Sequence, residues 1–148
     1  MKKAGTWKPR EMPALLIGVA ARAMSRRDDE RLQQVGLRVA QLPVLVALKN
    51  GERLTQKALA RIAGVEQPSM AQLLARMERD GLIQRTADPA DGRSSLVGLT
   101  PAALERLEPG RDVLRGGNDE ALAGFTPEET DQLLGMLRRI LHNLGERD

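Results

Sequence analysis

The chain has 148 residues, of which 41% are hydrophobic, 29% charged and 1% aromatic. This length fits one globular domain, or one domain with an assembly element. The absence of cysteine excludes disulfides, cysteine–metal sites and thiol redox switches, and it is consistent with a cytoplasmic protein. With Trp7 and Phe125 as its only aromatic residues, the chain lacks the base-stacking side chains of many single-strand binders. Its net charge of +3 is a weak indication of a nucleic-acid partner.

The first half of the chain predicts four helices. Apolar residues recur at helical spacing over residues 12–27, and a second, shorter helix is expected over 39–49. A threonine cap and a glycine stop bound a third helix over 55–64, and the apolar spacing predicts a fourth over 66–81. Because a tight, glycine-containing turn joins the last two, they form a helix-turn-helix pattern.

Two short extended segments follow, at 82–87 and 94–100, with the sequence DPADG between them. The backbone of Asp88 is biased towards an extended conformation by the proline after it. Pro89 suits the second position of a turn, and Gly92 permits a positive φ. We therefore predict a β-hairpin whose tip is formed by this pentapeptide.

Two more helices are expected at the C-terminal end. Thr100 is the predicted cap of a helix over 101–123, although the sequences EPG at 108–110 and RGG at 115–117 should kink or interrupt it. The sequence TPEE at 126–129 combines a threonine cap with a capping-box glutamate, which predicts the start of the last helix.

Together these elements predict a mainly α-helical fold with a small β-hairpin, in which a winged helix-turn-helix is flanked by N- and C-terminal helices. We expect an N-terminal dimerisation helix in 1–37, a DNA-binding winged helix-turn-helix in 38–100, and C-terminal dimerisation helices in 101–148. The flanking helices are too long and too apolar to bury their apolar residues against the small winged unit alone. A second copy of the same chain is the simplest partner for them.

Catalysis, metal binding and membrane association have little support in the sequence. His142 is the only histidine and falls on a predicted helix surface, with no cysteine to pair with. No cluster of histidine and carboxylate residues has metal-ligand spacing, and the acidic run at 28–30 is expected to be a solvated helix face. The longest apolar run, 14–21, is too short to cross a bilayer. We therefore predict no enzyme activity, no cofactor and no membrane partner.

Contact with DNA is better supported, above all by the helix predicted over 66–81. Opposite its apolar stripe it carries glutamine, which can pair with adenine, arginine, which can pair with guanine, and serine, which suits phosphates or base edges. An ordinary solvated face is the alternative, but the preceding helix and the following hairpin favour a recognition helix. The predicted recognition residues are Gln67, Pro68, Ser69, Gln72 and Arg76.

The start of the preceding helix is a candidate phosphate site. Thr55, Gln56 and Lys57 open this helix, where backbone N–H groups can hold a phosphate. Simple capping by Thr55 is the alternative interpretation. Arg53 and Arg61 are further candidates for phosphate contacts, and the alternative for each is a surface side chain that does not contact DNA.

The hairpin tip presents a different kind of contact. Arg93 could enter a narrow minor groove, where negative potential is concentrated. Asp91 could hold its guanidinium by paired hydrogen bonds. A surface ion pair within the turn, of little energetic value, is the alternative.

Four stretches of the chain resemble the MarR family of bacterial transcriptional regulators. They are QLPVLVALKNGERLTQKALARIAGV at 41–65, QPSMAQLLARMERDGLIQR at 67–85, DPADGRSSLVGLT at 88–100 and FTPEETDQLLGMLRRILHNL at 125–144. The most specific feature is Asp-x-Arg followed by a strand that ends in Leu-Thr, directly after MERDGLIQR.

The resemblance implies a homodimeric winged helix-turn-helix repressor or activator of double-stranded DNA, most often a repressor. Its recognition helices would enter successive major grooves, and its wings the flanking minor grooves, of a pseudo-palindromic operator. The five recognition residues named above match the family's recognition helix, and Asp91 and Arg93 match the wing's Asp and minor-groove Arg. Many members release DNA when a small, often aromatic and anionic, effector binds. Arg38 and Val39 stand where members often have a Thr or Ser helix cap.

Two other classes of function stay open from the residues alone. One is a winged-helix module for protein–protein assembly, against which the polar face with Gln67, Gln72 and Arg76 argues. The other is a small-molecule-binding protein without strong affinity for DNA.

Overall fold

The protein is described by a computed structural model that covers residues 7–146. Within that range it has six α-helices and one two-stranded antiparallel hairpin, which confirms the predicted fold class. Three short 3-10 helices cover Pro9–Glu11, Gln33–Val35 and Val39–Gln41. The longer elements are α1 (Pro13–Leu32), α2 (Leu42–Leu48), α3 (Gln56–Ala63), α4 (Gln67–Arg79), β1 (Ile83–Asp88), β2 (Asp91–Leu99), α5 (Pro101–Ala121) and α6 (Pro127–Asn143).

The helix-turn-helix forms where local signals place it. The Thr55 hydroxyl accepts a hydrogen bond from the N–H of Ala58 at 3.2 Å and so caps α3. Gly64 ends α3 in the left-handed region, with φ of 64°, which a residue with a Cβ rarely adopts. Pro68 lies in the first turn of α4, where its missing N–H has no partner to lose.

One hydrophobic core joins α2, α3, α4, the base of the hairpin, the end of α1 and the start of α5. On α4 the side chains of Met70, Leu74 and Met77 are fully buried. The spacing of these three residues is helical, so they lie on one face and fix which face of α4 points outward. The core also contains Leu32, Leu37, Val44, Leu45, Leu48, Leu59, Ala60, Leu82, Ile83, Val97, Leu99 and Ala103.

The chain divides into two compact units within α5, one that ends at Leu114 and one that begins at Arg115. The second unit contains the end of α5 and the whole of α6. A capping box starts α6 as predicted, because Thr126 Oγ1 accepts from the Glu129 N–H at 3.1 Å and Glu129 Oε1 accepts from the Thr126 N–H at 3.0 Å. In residues 7–146 no helix is both long and apolar enough to cross a membrane.

Two predicted boundaries differ from the structure. α1 does not stop near Arg27 but continues through the charged run to Leu32. The predicted interruption of α5 is wrong, since this helix runs unbroken through Pro109 and through the glycines at 116–117. Pro109 lacks the N–H of one helical hydrogen bond, and this loss does not end the helix.

Gly110 shows how closely α5 packs at this point. It is buried, and a Cβ built there would lie 2.8 Å from Leu37 Cδ1. Glycine therefore lowers the helix propensity of α5 and at the same time lets its backbone approach the core.

The acidic run at 28–30 is not simply a solvated face, because Asp29 caps the helical segment that begins at Val39. Its Oδ1 accepts from the Val39 N–H at 2.9 Å, across ten residues of chain. The Arg38 N–H donates to Gln41 Oε1 at 2.9 Å. Asp29 therefore supplies from α1 the cap that the residues at 38–39 lack.

Candidate nucleic-acid interface

The outward face of α4 is polar and accessible. Because Met70, Leu74 and Met77 face the core, the opposite side of the helix is left to solvent. Ser69, Gln72 and Arg76 follow one another at helical spacing and so form one stripe. All five predicted recognition residues are exposed: Gln67, Pro68, Ser69, Gln72 and Arg76.

The start of α3 contains the predicted phosphate-binding residues. Thr55 and Gln56 are half-buried and Lys57 is exposed. The Thr55 hydroxyl caps the helix, as the alternative interpretation held, and its own hydrogen remains available for donation.

The hairpin that follows α4 is shorter at its tip than predicted. β1 and β2 pair in antiparallel register from Ile83 opposite Leu99 to Asp88 opposite Asp91, with an irregularity after Ala87. The loop is therefore Pro89 and Ala90 alone, and Asp88 Oδ1 accepts from the Ala90 N–H at 2.9 Å. The predicted role of Gly92 is wrong, because this residue lies within β2 and is not one of the glycines with positive φ.

A short backbone bridge ties the hairpin to α3. The Leu54 N–H donates to the Val97 carbonyl at 3.1 Å, and the Val97 N–H donates to the Leu54 carbonyl at 2.7 Å. Since Leu54 immediately precedes the cap of α3, the hairpin is fixed to the beginning of the helix-turn-helix.

The two predicted wing residues lie beside the tip, and their mutual contact differs from the prediction. Asp91 Oδ1 accepts from the backbone N–H of Arg93 at 3.0 Å, where we expected a bond to the guanidinium. Asp91 therefore shapes the backbone and leaves the Arg93 side chain unbound. Within residues 7–146 no carboxylate lies within 4.0 Å of that guanidinium, and the side chain is exposed.

Two contacts of the hairpin were not predicted from the sequence. Arg85 Nε lies 3.2 Å from Glu78 Oε2 and joins β1 to the last turns of α4. Arg53 Nη1 donates to Thr86 Oγ1 at 3.2 Å. Each contact joins residues that no short-range pattern relates, so no sequence signal could have found them.

The described residues hold no group of three or more His, Asp or Glu side chains that could bind a metal ion. His142 lies exposed in the last turn of α6.

Comparisons with known proteins cover most of the chain. A model of the MarR family matches residues 35–94, which span α2 to the start of β2. The crystal structure of a probable transcriptional regulator from Pseudomonas aeruginosa has 30% sequence identity and a TM-score of 0.81, over 90% of this chain and 99% of that one. The chain belongs to the MarR family. This confirms the predicted family and, with it, the winged helix-turn-helix fold.

Two further structures of similar fold contain DNA. A mutant of MarR from E. coli, complexed with operator DNA, matches with 23% identity and a TM-score of 0.80 over 89% of this chain and 96% of that one. At this identity the likeness shows the shared fold. The S. aureus MepR–DNA complex matches with 25% identity and a TM-score of 0.78 over 90% of this chain and 98% of that one.

Proposed function

We propose that this MarR-family chain is a sequence-specific regulator that binds double-stranded DNA as a homodimer. The observation that carries the proposal is the exposed polar face of α4. Because the opposite, apolar face of this helix is buried in the core, the polar face points to solvent beside the wing. The DNA present in two structures of the same fold supports it. As a regulator of genomic DNA in bacteria, the protein would act in the cytoplasm.

Each part of the surface has a distinct role in this proposal. Ser69, Gln72 and Arg76 read base edges in the major groove, and Gln67 and Pro68 set the approach of the first turn of α4.

The wing and the start of α3 act on other parts of the duplex. Arg93 enters the minor groove, and Asp91 stabilises the backbone conformation beside the tip that presents Arg93. Thr55, Gln56 and Lys57 hold a phosphate at the start of α3.

Apolar faces at the two ends of the chain support the dimer. Leu16 on α1 is 48% exposed and Val19 is 57% exposed, although both are apolar. Leu141 on α6 is 45% exposed. Uncovered apolar surface of this kind marks an interface, and a second copy of the chain covers it in a closed dimer.

In this dimer, residues 1–37 and 101–148 form the interface and residues 38–100 contact the operator. We propose repression as the outcome, because a dimer that spans two half-sites occupies DNA that a polymerase needs.

Selection of bound duplexes from a random pool tests the proposal. We expect a pseudo-palindrome whose half-sites lie about 10 bp apart from centre to centre. Affinity for it should fall steeply with salt, because phosphate contacts release counterions. Gln72→Ala should relax the base preference within each half-site, whereas the matched control Gln34→Ala, at an exposed position outside α4, should not. Equal affinity for the selected duplex and for random DNA would overturn the proposal.

A groove between α2 and α5 supports release by a small effector. Its volume is about 390 Å³, within the range of ligand sites. Apolar side chains such as Leu45, Val46 and Leu107 line it, together with Lys49. We propose that it takes a compound with an apolar, often aromatic, body and one anionic group, which Lys49 would pair with.

A thermal-shift screen with small aromatic carboxylates tests the effector proposal. A binder should raise the melting temperature and weaken DNA binding, and Lys49→Ala should reduce both effects. A shift in melting temperature for a chain that binds no DNA would instead favour a small-molecule-binding protein. No shift with any carboxylate would overturn the effector proposal and leave DNA binding as it stands.

A further inference from the structure

The backbone of Arg53 is fixed at the junction of the wing and α3. Its neighbour Leu54 is bridged to Val97 of β2 by two hydrogen bonds of 3.1 and 2.7 Å. Two residues after Arg53, Thr55 caps α3. Arg53 therefore cannot shift without disturbing either the sheet or the helix cap.

The side chain of Arg53 is also held in place while it remains exposed. Its Nη1 donates to the Thr86 hydroxyl at 3.2 Å. Its aliphatic stem lies over Gly98, where an added Cβ would be 3.4 Å from Arg53 Cγ. Because Gly98 has no side chain, the stem of Arg53 can lie directly against the backbone of β2. An arginine that is already ordered loses less conformational entropy when it binds a ligand.

The charge of Arg53 is not compensated by the protein. In the described part of the chain, no carboxylate lies within 4.0 Å of its guanidinium. The adjacent Glu52 uses its carboxylate to accept from the Asn50 N–H at 3.0 Å. Arg85 on the same hairpin differs, because Glu78 pairs with it at 3.2 Å. Arg53 is therefore a positioned cation without a carboxylate partner, and arginine in this state is well suited to bind a phosphate.

We propose that the ordered guanidinium of Arg53 binds a phosphate of the DNA backbone. This phosphate would lie between the start of α3 and the minor groove that Arg93 enters. This inference rests on the proposed function. Thr86 pairs with Leu96, so Arg53 lies at that level of the hairpin. Arg93 is three residues nearer the tip, which is at most roughly 10 Å along β2 because the register is irregular there. With Nη1 bound to Thr86, the other guanidinium N–H groups remain for phosphate oxygens.

The test compares full-length variants on the selected operator and on a random duplex of equal length, over a range of salt. Arg53→Ala should weaken binding to both duplexes by a similar factor, roughly tenfold, and reduce the slope of log K against log salt by about one. Thr86→Val keeps the charge but releases the side chain. It should therefore weaken binding by about two- to threefold and leave the slope unchanged.

Two further variants complete the comparison. Arg53→Lys keeps the charge and should keep the slope, and it also serves if Arg53→Ala folds poorly in a thermal melt. Arg85→Ala removes an arginine of the same hairpin that Glu78 already pairs with, so it should leave the slope unchanged.

The outcomes separate the two proposals. If the wild-type chain binds DNA and Arg53→Ala matches it in affinity and slope, the phosphate contact is wrong and the proposed function stands. If Arg53→Ala weakens binding to the operator alone, Arg53 reads bases and the phosphate assignment is overturned. If the wild-type chain binds no duplex at all, both proposals fail.

Discussion

Helices α4 and α6 are both amphipathic, but only α4 buries its apolar face within the described chain. α4 buries Met70, Leu74 and Met77 completely in the core of its own unit. α6 is four residues longer, 17 against 13, yet buries no residue, and its Leu141 and Leu144 are 45% and 71% exposed. An amphipathic pattern thus shows that a helix needs a partner and does not show whether the partner lies in the same chain.

α1 combines both situations in one helix. Leu32 at its C-terminal end is fully buried in the core, whereas Leu16 and Val19 nearer its start are about half exposed. The contrast between the buried apolar face of α4 and the uncovered apolar faces of α1 and α6 is the physical reason for proposing a dimer. The predictions below test the two sides of that contrast.

Leu74→Ala should have the largest effect. Removing a fully buried leucine leaves a cavity in the winged unit, so the free energy of unfolding should fall by about 2–5 kcal/mol. Chemical denaturation of the purified chain measures this. Ile62→Ala on α3 is the matched control, since that isoleucine is 55% exposed and should cost less than about 1 kcal/mol. Equal costs for the two changes would remove the distinction between core and surface.

Leu141→Ser should act on assembly. If a second copy covers this side chain, the dissociation constant of the dimer should rise by roughly 10- to 100-fold, because apolar burial is lost at the interface. Analytical ultracentrifugation over a range of concentrations measures it. Gln132→Ser is the control, because nine residues place Gln132 on the opposite side of the helix from Leu141. A wild-type chain that stays monomeric at every concentration would refute the dimer.

Gly110→Ala tests the close packing of α5 against Leu37. The added methyl group would lie 2.8 Å from Leu37 Cδ1, so we expect a loss of about 1–3 kcal/mol in the free energy of unfolding. Gly116→Ala is a control in the same helix. There an added Cβ meets nothing in the described residues within 4 Å, apart from neighbouring backbone, and better helix propensity should raise stability by up to about 1 kcal/mol. A Gly110→Ala chain as stable as the wild type, or more stable, would show that the added methyl group does not clash with Leu37.

Local signals made much of the fold predictable. The caps Thr55 and Thr126 and the stop at Gly64 depend on residues within four positions, and the structure has all three. The outward face of α4 was predictable for a similar reason, because helical spacing fixes its apolar side. The assignment of its polar residues to DNA stays a prediction.

The remaining features depend on contacts between distant parts of the chain. The pairing of Asp88 with Asp91 leaves a two-residue tip and places Gly92 within β2, and Leu54 is bridged to Val97 of the same strand. The contact of Arg53 with Thr86 spans 33 residues, and that of Asp29 with Val39 spans ten. No spacing rule relates such pairs, so the sequence could not identify them.

Asp29→Ala should give the smallest effect and tests how α1 is joined to the winged unit. Loss of the acceptor for the Val39 N–H should cost about 1 kcal/mol in the free energy of unfolding, as for other helix caps. Asp29→Asn keeps an acceptor oxygen, so it should restore most of that stability. It would fail to do so if the 3.8 Å ion pair with Arg38 carried the effect.

Glu30→Ala, an exposed neighbour with the same charge change, should stay within about 0.5 kcal/mol of wild type. If Asp29→Ala behaves like Glu30→Ala, the cap does not hold α1 to the winged unit, and the buried Leu32 alone makes that connection.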